Sequence, residues 1–319
     1  MIMLANQSWA LEKVKVQLVW VKQGEFHGIL NAVDKGFYEE VGLDVEVLAG
    51  GPDVRSQQVV AGGGAQFATL APHHVIAARS NEVPLVMVMQ EHQDSYLAYV
   101  GKKSRGYNTI QDIKGAKFGV WFGGGEVEPQ LMISLSGVGK ENVSWVAQKF
   151  SMIEFYEDKL DIASVTLHNE LHVVLGAGYS RDDITIYKAS DYGAALISDG
   201  IVTTEKLIEE KPDIVQSFVN ATLRGWQWGI YNGEEAARIV LKFNPGLEYH
   251  KQLLQVEETS KLIASRKALT EGLGYMDIQD WEVAQKGLLE TKMIDEKIDL
   301  SKAFTDKFWK KAPSKYKIL

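Results

Sequence analysis

From Val14 onward the chain alternates strand-like and helix-like segments, and near Leu97 that alternation begins again. Lys15-Val16-Gln17-Leu18-Val19-Trp20 reads as a strand, and the stretch from His27 to about Glu40 carries apolar residues at helical spacing until Gly42 stops it. Asp44 to Leu48 is the next strand. A Gly50-Gly51-Pro52-Asp53 turn opens a helix to about Ala61, Gln66 to Leu70 is a third strand, a helix follows Pro72, and Leu85 to Met89 is a fourth strand. Repetition of this kind predicts a parallel sheet with helices on both faces.

The second round runs through strands at Leu97 to Val100, Lys117 to Phe122, Val143 to Val146, Asp161 to Thr166 and Asp183 to Tyr187. Short helices lie between them near Ile110, after Gly125, around Ile153 and up to Gly176. After Thr204 the pattern is almost entirely helical, with Trp226, Trp228 and Tyr231 in one amphipathic stretch expected to pack the C-terminal helices on the first sheet. A chain that leaves one α/β unit, builds a second and returns makes two lobes joined by two crossover strands, placed here near Tyr96 to Val100 and Leu196 to Val202. Residues 11–97 with 200–319 are expected in lobe one and 98–199 in lobe two, the pair closing by hinge motion.

Composition narrows the function classes. At 319 residues the length favours two domains, and 42 acidic against 34 basic residues give a formal charge of −8 without the basic footprint of nucleic-acid binding. The absence of cysteine excludes disulfides, thiolate metal sites and a cysteine nucleophile. Residues 1–10 combine a short apolar run with Ser8-x-Ala10, the small-x-small pattern of signal-peptidase cleavage, and are read as the remnant of a signal peptide cut after Ala10. A disordered tail is the plain alternative. No apolar stretch elsewhere approaches the roughly 20 residues that span a bilayer.

Several blocks occur in an order that carries a family resemblance: Trp20 to Gly28, Lys35-Gly36-Phe37-Tyr38, Gly42-Leu43-Asp44-Val45, Gly50 to Asp53 with Gln58 to Ala61, Ile113-Lys114-Gly115 before Gly119 to Gly124, Asn169-Glu170, Asp199-Gly200 and Arg224-Gly225-Trp226. Together they resemble solute-binding proteins for riboflavin and for thiamine-pyrimidine precursors, the riboflavin-binding branch in particular. The resemblance implies an α/β, periplasmic-binding-protein-like fold of type II, with the ligand in the cleft between the lobes. It implies an exported, periplasmic protein that works as a monomer with the permease subunits of an ABC importer and uses no cofactor. Departures at Lys22, His27, Leu30-Asn31, Gly125 to Glu128 and Leu167-His168 fall near the expected cleft, where they bear on ligand choice more than on fold.

Clefts of this kind use the loops after strand ends. The candidate ligand-binding residues are therefore Trp20, Gln23, Phe26, Pro52, Asp53, Leu70 and Tyr96 with lobe one and its exit, and Trp121, Phe122, Glu126, His168, Asn169 and Glu170 in lobe two. Aromatic rings from the two lobes could sandwich a planar ring, each contact contributing on the order of 1 kcal/mol. Gln23, Asp53, Asn169 and Glu170 would read its donors and acceptors. Trp20 at a strand end also suits a core role.

Gly123-Gly124-Gly125 resembles an anion cradle, but Glu126 and Glu128 in the same turn already complement the helix dipole, so a neutral ligand is favoured over phosphate. His168-Asn169-Glu170-Leu171-His172 lacks the glutamate directly after the first histidine that a zinc protease needs, and the adjacent His73 and His74 should point apart on a helix, so no metal site is assigned. The rival class is an enzyme, since pyrimidine synthases of thiamine formation share the fold. Those enzymes carry a cysteine-rich block, and no catalytic residues are assigned here.

Overall fold

The computed structural model describes residues 10–319 apart from Pro52 and Phe150. The expected processing segment before Ala10 and the candidate Pro52 lie outside the described residues. The strands are β1 (Glu12–Gln17), β2 (Leu43–Leu48), β3 (Phe67–Leu70), β4 (Leu85–Gln90), β5 (Leu97–Lys102), β6 (Lys117–Val120), β7 (Ser144–Ala147), β8 (Ile162–Thr166), β9 (Ile184–Tyr187) and β10 (Gly200–Thr204). The α-helices are α1 (His27–Asp34), α2 (Ser56–Ala61), α3 (Pro72–Ser80), α4 (Val127–Leu135), α5 (Ile153–Tyr156), α6 (Glu170–Gly176), α7 (Glu205–Glu210), α8 (Pro212–Tyr231), α9 (Gly233–Phe243), α10 (Tyr249–Ile263), α11 (Ala268–Glu271), α12 (Ile278–Glu290) and α13 (Lys307–Lys311).

Two five-stranded sheets organise the chain, in the orders β2-β1-β3-β10-β4 and β7-β6-β8-β5-β9. Neither is wholly parallel, contrary to the expectation from the strand–helix rhythm. β10 runs antiparallel to β3 and β4, and β5 runs antiparallel to β8 and β9. These two strands are the ones by which the chain arrives from the other lobe. They enter at the carboxyl ends of their neighbours, with Leu97 beside Thr166 and Gly200 beside Leu70 and Gln90, and so must run the opposite way.

The crossovers themselves are not strands. Residues 91–96 and 194–199 carry the chain between lobes as irregular backbone tied to itself. The carbonyl of Asp199 accepts from the amides of both Glu91 (3.1 Å) and His92 (3.0 Å). Gln90 Nε2 donates to the carbonyls of Ser198 and Asp199, and the Tyr96 amide donates to Ser198 Oγ.

β1 starts and ends about three residues earlier than the apolar run suggests. Past Gln17, Leu18 still bonds to Leu48, but the Val19 amide turns to Thr69 Oγ1 and the chain bends away, which carries Trp20 out of the sheet. α1 ends at Asp34 because Gly36, at φ +70°, breaks the helix; a 3₁₀ turn at Glu39–Val41 and Gly42 at φ +84° complete the reversal.

α1 packs on α8 at close range. A Cβ on Gly28 would overlap the Trp226 indole, and one on Gly225 would overlap the Gly28 carbonyl. Trp226 is accordingly buried, and of the two residues expected beside it Trp228 packs at the edge of the lobe-one core while Tyr231 does not. Trp228 is half-buried with Lys35 Nζ 4.7 Å over its ring, and Tyr231 is 64% exposed.

α12 belongs to neither lobe alone. It packs on α3 of the first lobe and α4 of the second, burying Trp281, Ala284 and Leu288, while Gly287 faces Val127 and Leu131 of α4. No helix among the described residues is long and apolar enough to cross a membrane.

Candidate functional site

The carboxyl ends of both sheets face each other across a cavity of about 380 Å³, within the range of small-molecule sites. Trp20, Gln23, Tyr96, Trp121, Phe122, His168, Asn169 and Glu170 line it. Trp20 comes from the loop after β1, Trp121 and Phe122 from the loop after β6, and Tyr96 from the first crossover. Phe122 is 50% exposed and stands at the mouth.

Four other candidates are placed elsewhere. Phe26 closes a buried 3₁₀ turn and packs in the core of lobe one. Leu70 ends β3 facing the core, and by the strand's alternation its neighbour Ala71 meets the cavity instead. Asp53 is exposed; Gly51, Val54 and Arg55 of the same loop reach the cavity. Glu126 folds back on its own loop, where Oε2 accepts from the amides of Gly123 (3.0 Å) and Gly124 (2.8 Å). Those two amides are thereby occupied by the chain's own carboxylate.

Other lining residues were not singled out as candidates in the sequence: Glu25, Arg55, His73, His74, Glu128 and Gln148. The two adjacent histidines do not diverge. Their rings lie 4.1 Å apart at 37°, both in the cavity. Gly124 of lobe two makes the room, since a Cβ there would overlap His74 Nε2 and come within 3.3 Å of His73 Nε2. Adjacency on a short helix start was the only sequence signal, and it pointed the other way. Among the described residues no group of three or more His, Cys, Asp or Glu is placed to hold a metal.

Electrostatics concentrate under the cavity floor. Glu25 of lobe one accepts from Gln23 Nε2 (2.9 Å) and has His168 Nε2 of lobe two at 3.5 Å. Burial pushes the Glu25 carboxyl up, but attraction and hydrogen bonding to His168, with His92 and Gln23 adding, outweigh it and hold the group below the usual range. Around this pair burial dominates. It lifts Glu91 to about 8 despite the bond from Trp226 Nε1, and lifts Glu128 to about 7 against bonds from the Leu196 amide, Ser95 and Tyr99. It raises Asp199 strongly, helped by the charges of Glu25 and Glu91. The buried imidazoles move down, His92 and His74 to about 4, and His73 well below its ordinary value.

Ser56 Oγ donates to the Leu18 carbonyl and Ser198 Oγ accepts from the Tyr96 amide, while Ser95 Oγ accepts from the Leu97 amide and bonds to the Glu128 carboxyl. Glu170 is spent locally on Thr166 and Asn169. The arrangement can enclose a ring between aromatic faces and meet its edge with polar groups from both lobes.

Residues 23–236 match the sequence model of the family described as NMT1/THI5 like. The chain belongs to the NMT1/THI5-like family. Among curated members and relatives it is 26% identical to riboflavin-binding protein RibY of Chloroflexus aurantiacus, over 95% of this chain and 88% of that one. It is likewise 26% identical to the formylaminopyrimidine-binding protein of Halalkalibacterium halodurans, over 87% and 85%. A third relative is 4-amino-5-hydroxymethyl-2-methylpyrimidine phosphate synthase of Legionella pneumophila, 24% identical over 94% and 93%. In structure this NMT1/THI5-like chain is similar to the periplasmic aliphatic sulphonate binding protein SsuA from Escherichia coli (TM-score 0.73, 10% identity, 92% of each chain). It is also similar to the ligand binding component of an ABC-type import system from Staphylococcus aureus (TM-score 0.71, 10% identity, 95% and 99%). The fold is therefore the two-lobed type II periplasmic-binding-protein architecture.

Proposed function

We propose that this NMT1/THI5-like protein is the extracytoplasmic solute-binding component of an ABC importer and captures a flat heteroaromatic solute, riboflavin or a thiamine-pyrimidine precursor, by closing its lobes. The observation that carries this reading is the interlobe cavity with Trp20 from one lobe, Trp121 and Phe122 from the other and Tyr96 at the crossover. The names of two relatives support a vitamin or vitamin-precursor ligand. In this reading residues 11–97 with 200–319 move as one body and 98–199 as the other, the protein acts as a monomer, and the closed form presents both lobes to a permease. A processed N-terminus at Leu11 belongs to the same proposal, and the intact mass of the native protein tests it.

The functional test is a titration of protein beginning at Leu11 with riboflavin, aminopyrimidine precursors and thiamine, followed through its seven tryptophans from Trp20 onward. Saturable binding at micromolar or tighter, on the order of −8 kcal/mol, supports a transport receptor. Silence across the panel removes the ligand class.

A synthase-like enzyme is the second reading, drawn from the Legionella relative. The absence of cysteine from the chain weighs against it. Turnover of a bound cofactor or covalent self-modification in the purified protein would reverse that preference.

A further inference from the structure

Resting on the reading of the cavity as a heteroaromatic site, we propose that His73 and His74 of lobe one are its specificity-determining residues and select an uncharged heterocycle bearing amino or imide N–H donors over an anion, with His168 of lobe two offering one further unpartnered nitrogen.

All three rings line the cavity. Both nitrogens of His73, and Nδ1 of His74 and of His168, are buried without a hydrogen-bond partner among the described residues. His168 as a whole is 1% exposed. An unmet buried nitrogen carries an uncompensated desolvation cost, which a ligand of the right polarity recovers.

The polarity follows from the other nitrogen of each ring. His74 hydrogen-bonds the Gly123 carbonyl, and since its Nδ1 is the unpartnered atom, Nε2–H is the donor and Nδ1 keeps a lone pair. His168 Nε2 faces the Glu25 carboxylate at 3.5 Å, which orients the ring and leaves Nδ1 as the atom without a partner. His73 offers one lone pair and one N–H. His73 and His74 therefore present two acceptors and one donor. Burial keeps His73 and His74 neutral at physiological pH and so preserves their lone pairs.

Anions are disfavoured by the same surroundings. Glu25, Glu128 and Glu170 line the cavity against Arg55, and the loop amides that could cradle a phosphate or sulfonate are held by Glu126. A site built on lone pairs rejects a ligand lacking the matching hydrogen, because its own buried atoms stay unpaired.

The test uses two probe pairs: riboflavin with its N3-methyl derivative, and 4-amino-5-hydroxymethyl-2-methylpyrimidine with its 4-dimethylamino derivative. Each alkylation removes donor hydrogens from an otherwise intact ring. Naphthalene sulfonate serves as the anionic probe. For the parent that binds, alkylation is expected to weaken affinity at least about tenfold in the wild type, and the gap to narrow below about threefold in His73→Phe or His74→Phe, with circular dichroism confirming that the variants are folded. A wild-type gap under about threefold, a gap unchanged in both variants, or tighter binding of the sulfonate overturns the assignment while leaving the receptor reading intact. Failure of both parents to bind overturns the receptor reading and this inference with it.

Discussion

Trp20 stands where β1 has already left its sheet, half-buried at the cavity wall, so its indole can be removed without opening the strand behind it. Trp20→Ala is expected to weaken ligand binding at least about tenfold while lowering stability by about 1–3 kcal/mol, since the half-buried indole also packs on the lobe-one core, read by titration and by chemical denaturation. Gly124 is a second sensitive position. It holds φ +135°, and a Cβ there would collide with His74 across the cleft. Gly124→Ala should cost about 1–3 kcal/mol in backbone strain and, under the proposed lobe closure, reduce any ligand-induced contraction read by small-angle scattering, because its methyl group displaces the His74 ring. Glu91 gives a pH signature. A carboxyl lifted from 4.5 to about 8 on folding favours the folded state fully below pH about 4.5, and that contribution disappears as the pH rises through about 8. Glu91→Gln retains an acceptor for Trp226 Nε1 and removes the ionisation, so melting temperature should fall less steeply between pH about 5 and about 9 than in the wild type. Asp199, raised in the same sense, leaves part of the slope in place.

Among the secondary-structure elements, α12 stands apart because a single apolar face serves two lobes. Trp281 is 1% exposed and stacks on Phe304, so Trp281→Ala should destabilise by about 3–5 kcal/mol in a urea titration. If α12 braces the lobes, Leu288→Ala should in addition alter ligand affinity although it lies outside the cavity lining. This bridging role had no trace in the sequence, since helical periodicity reports that a face is apolar and not how many neighbours it has. The strands were legible to within a few residues because short β-branched runs sit between glycine and proline breaks. Strand direction at β5 and β10 was not, because it depends on the side from which the chain enters a sheet. At the site, residues directly after strand ends were legible in large part: Trp20, Gln23, Trp121, Phe122 and His168 to Glu170 reach the cavity. Phe26 and Leu70 were misplaced by one position of side-chain alternation or turn geometry, Asp53 by which residues of its loop turn inward, and Glu126 by a local hydrogen bond. His73 and His74 were missed because their meeting depends on a glycine fifty residues away in the other lobe.

Across the whole molecule, the buried acids and imidazoles at Glu25, Glu91, His92, His168 and Asp199 gather where the two lobes and both crossovers meet, so the most electrostatically costly part of the protein is also the part about which it would bend. Such costs are tolerated where a fold needs more than one arrangement of similar free energy. The crossovers add a geometric constraint. With Glu91 and His92 both bonded to the Asp199 carbonyl, and Tyr96 held by Ser198, the paired backbones cannot slide past each other without breaking the same few bonds. With α12 packed on both lobes as well, the relative motions open to them are few. If the lobes close as proposed, a spectroscopic ruler with one label on each lobe, far from the crossovers, would report the state of the whole.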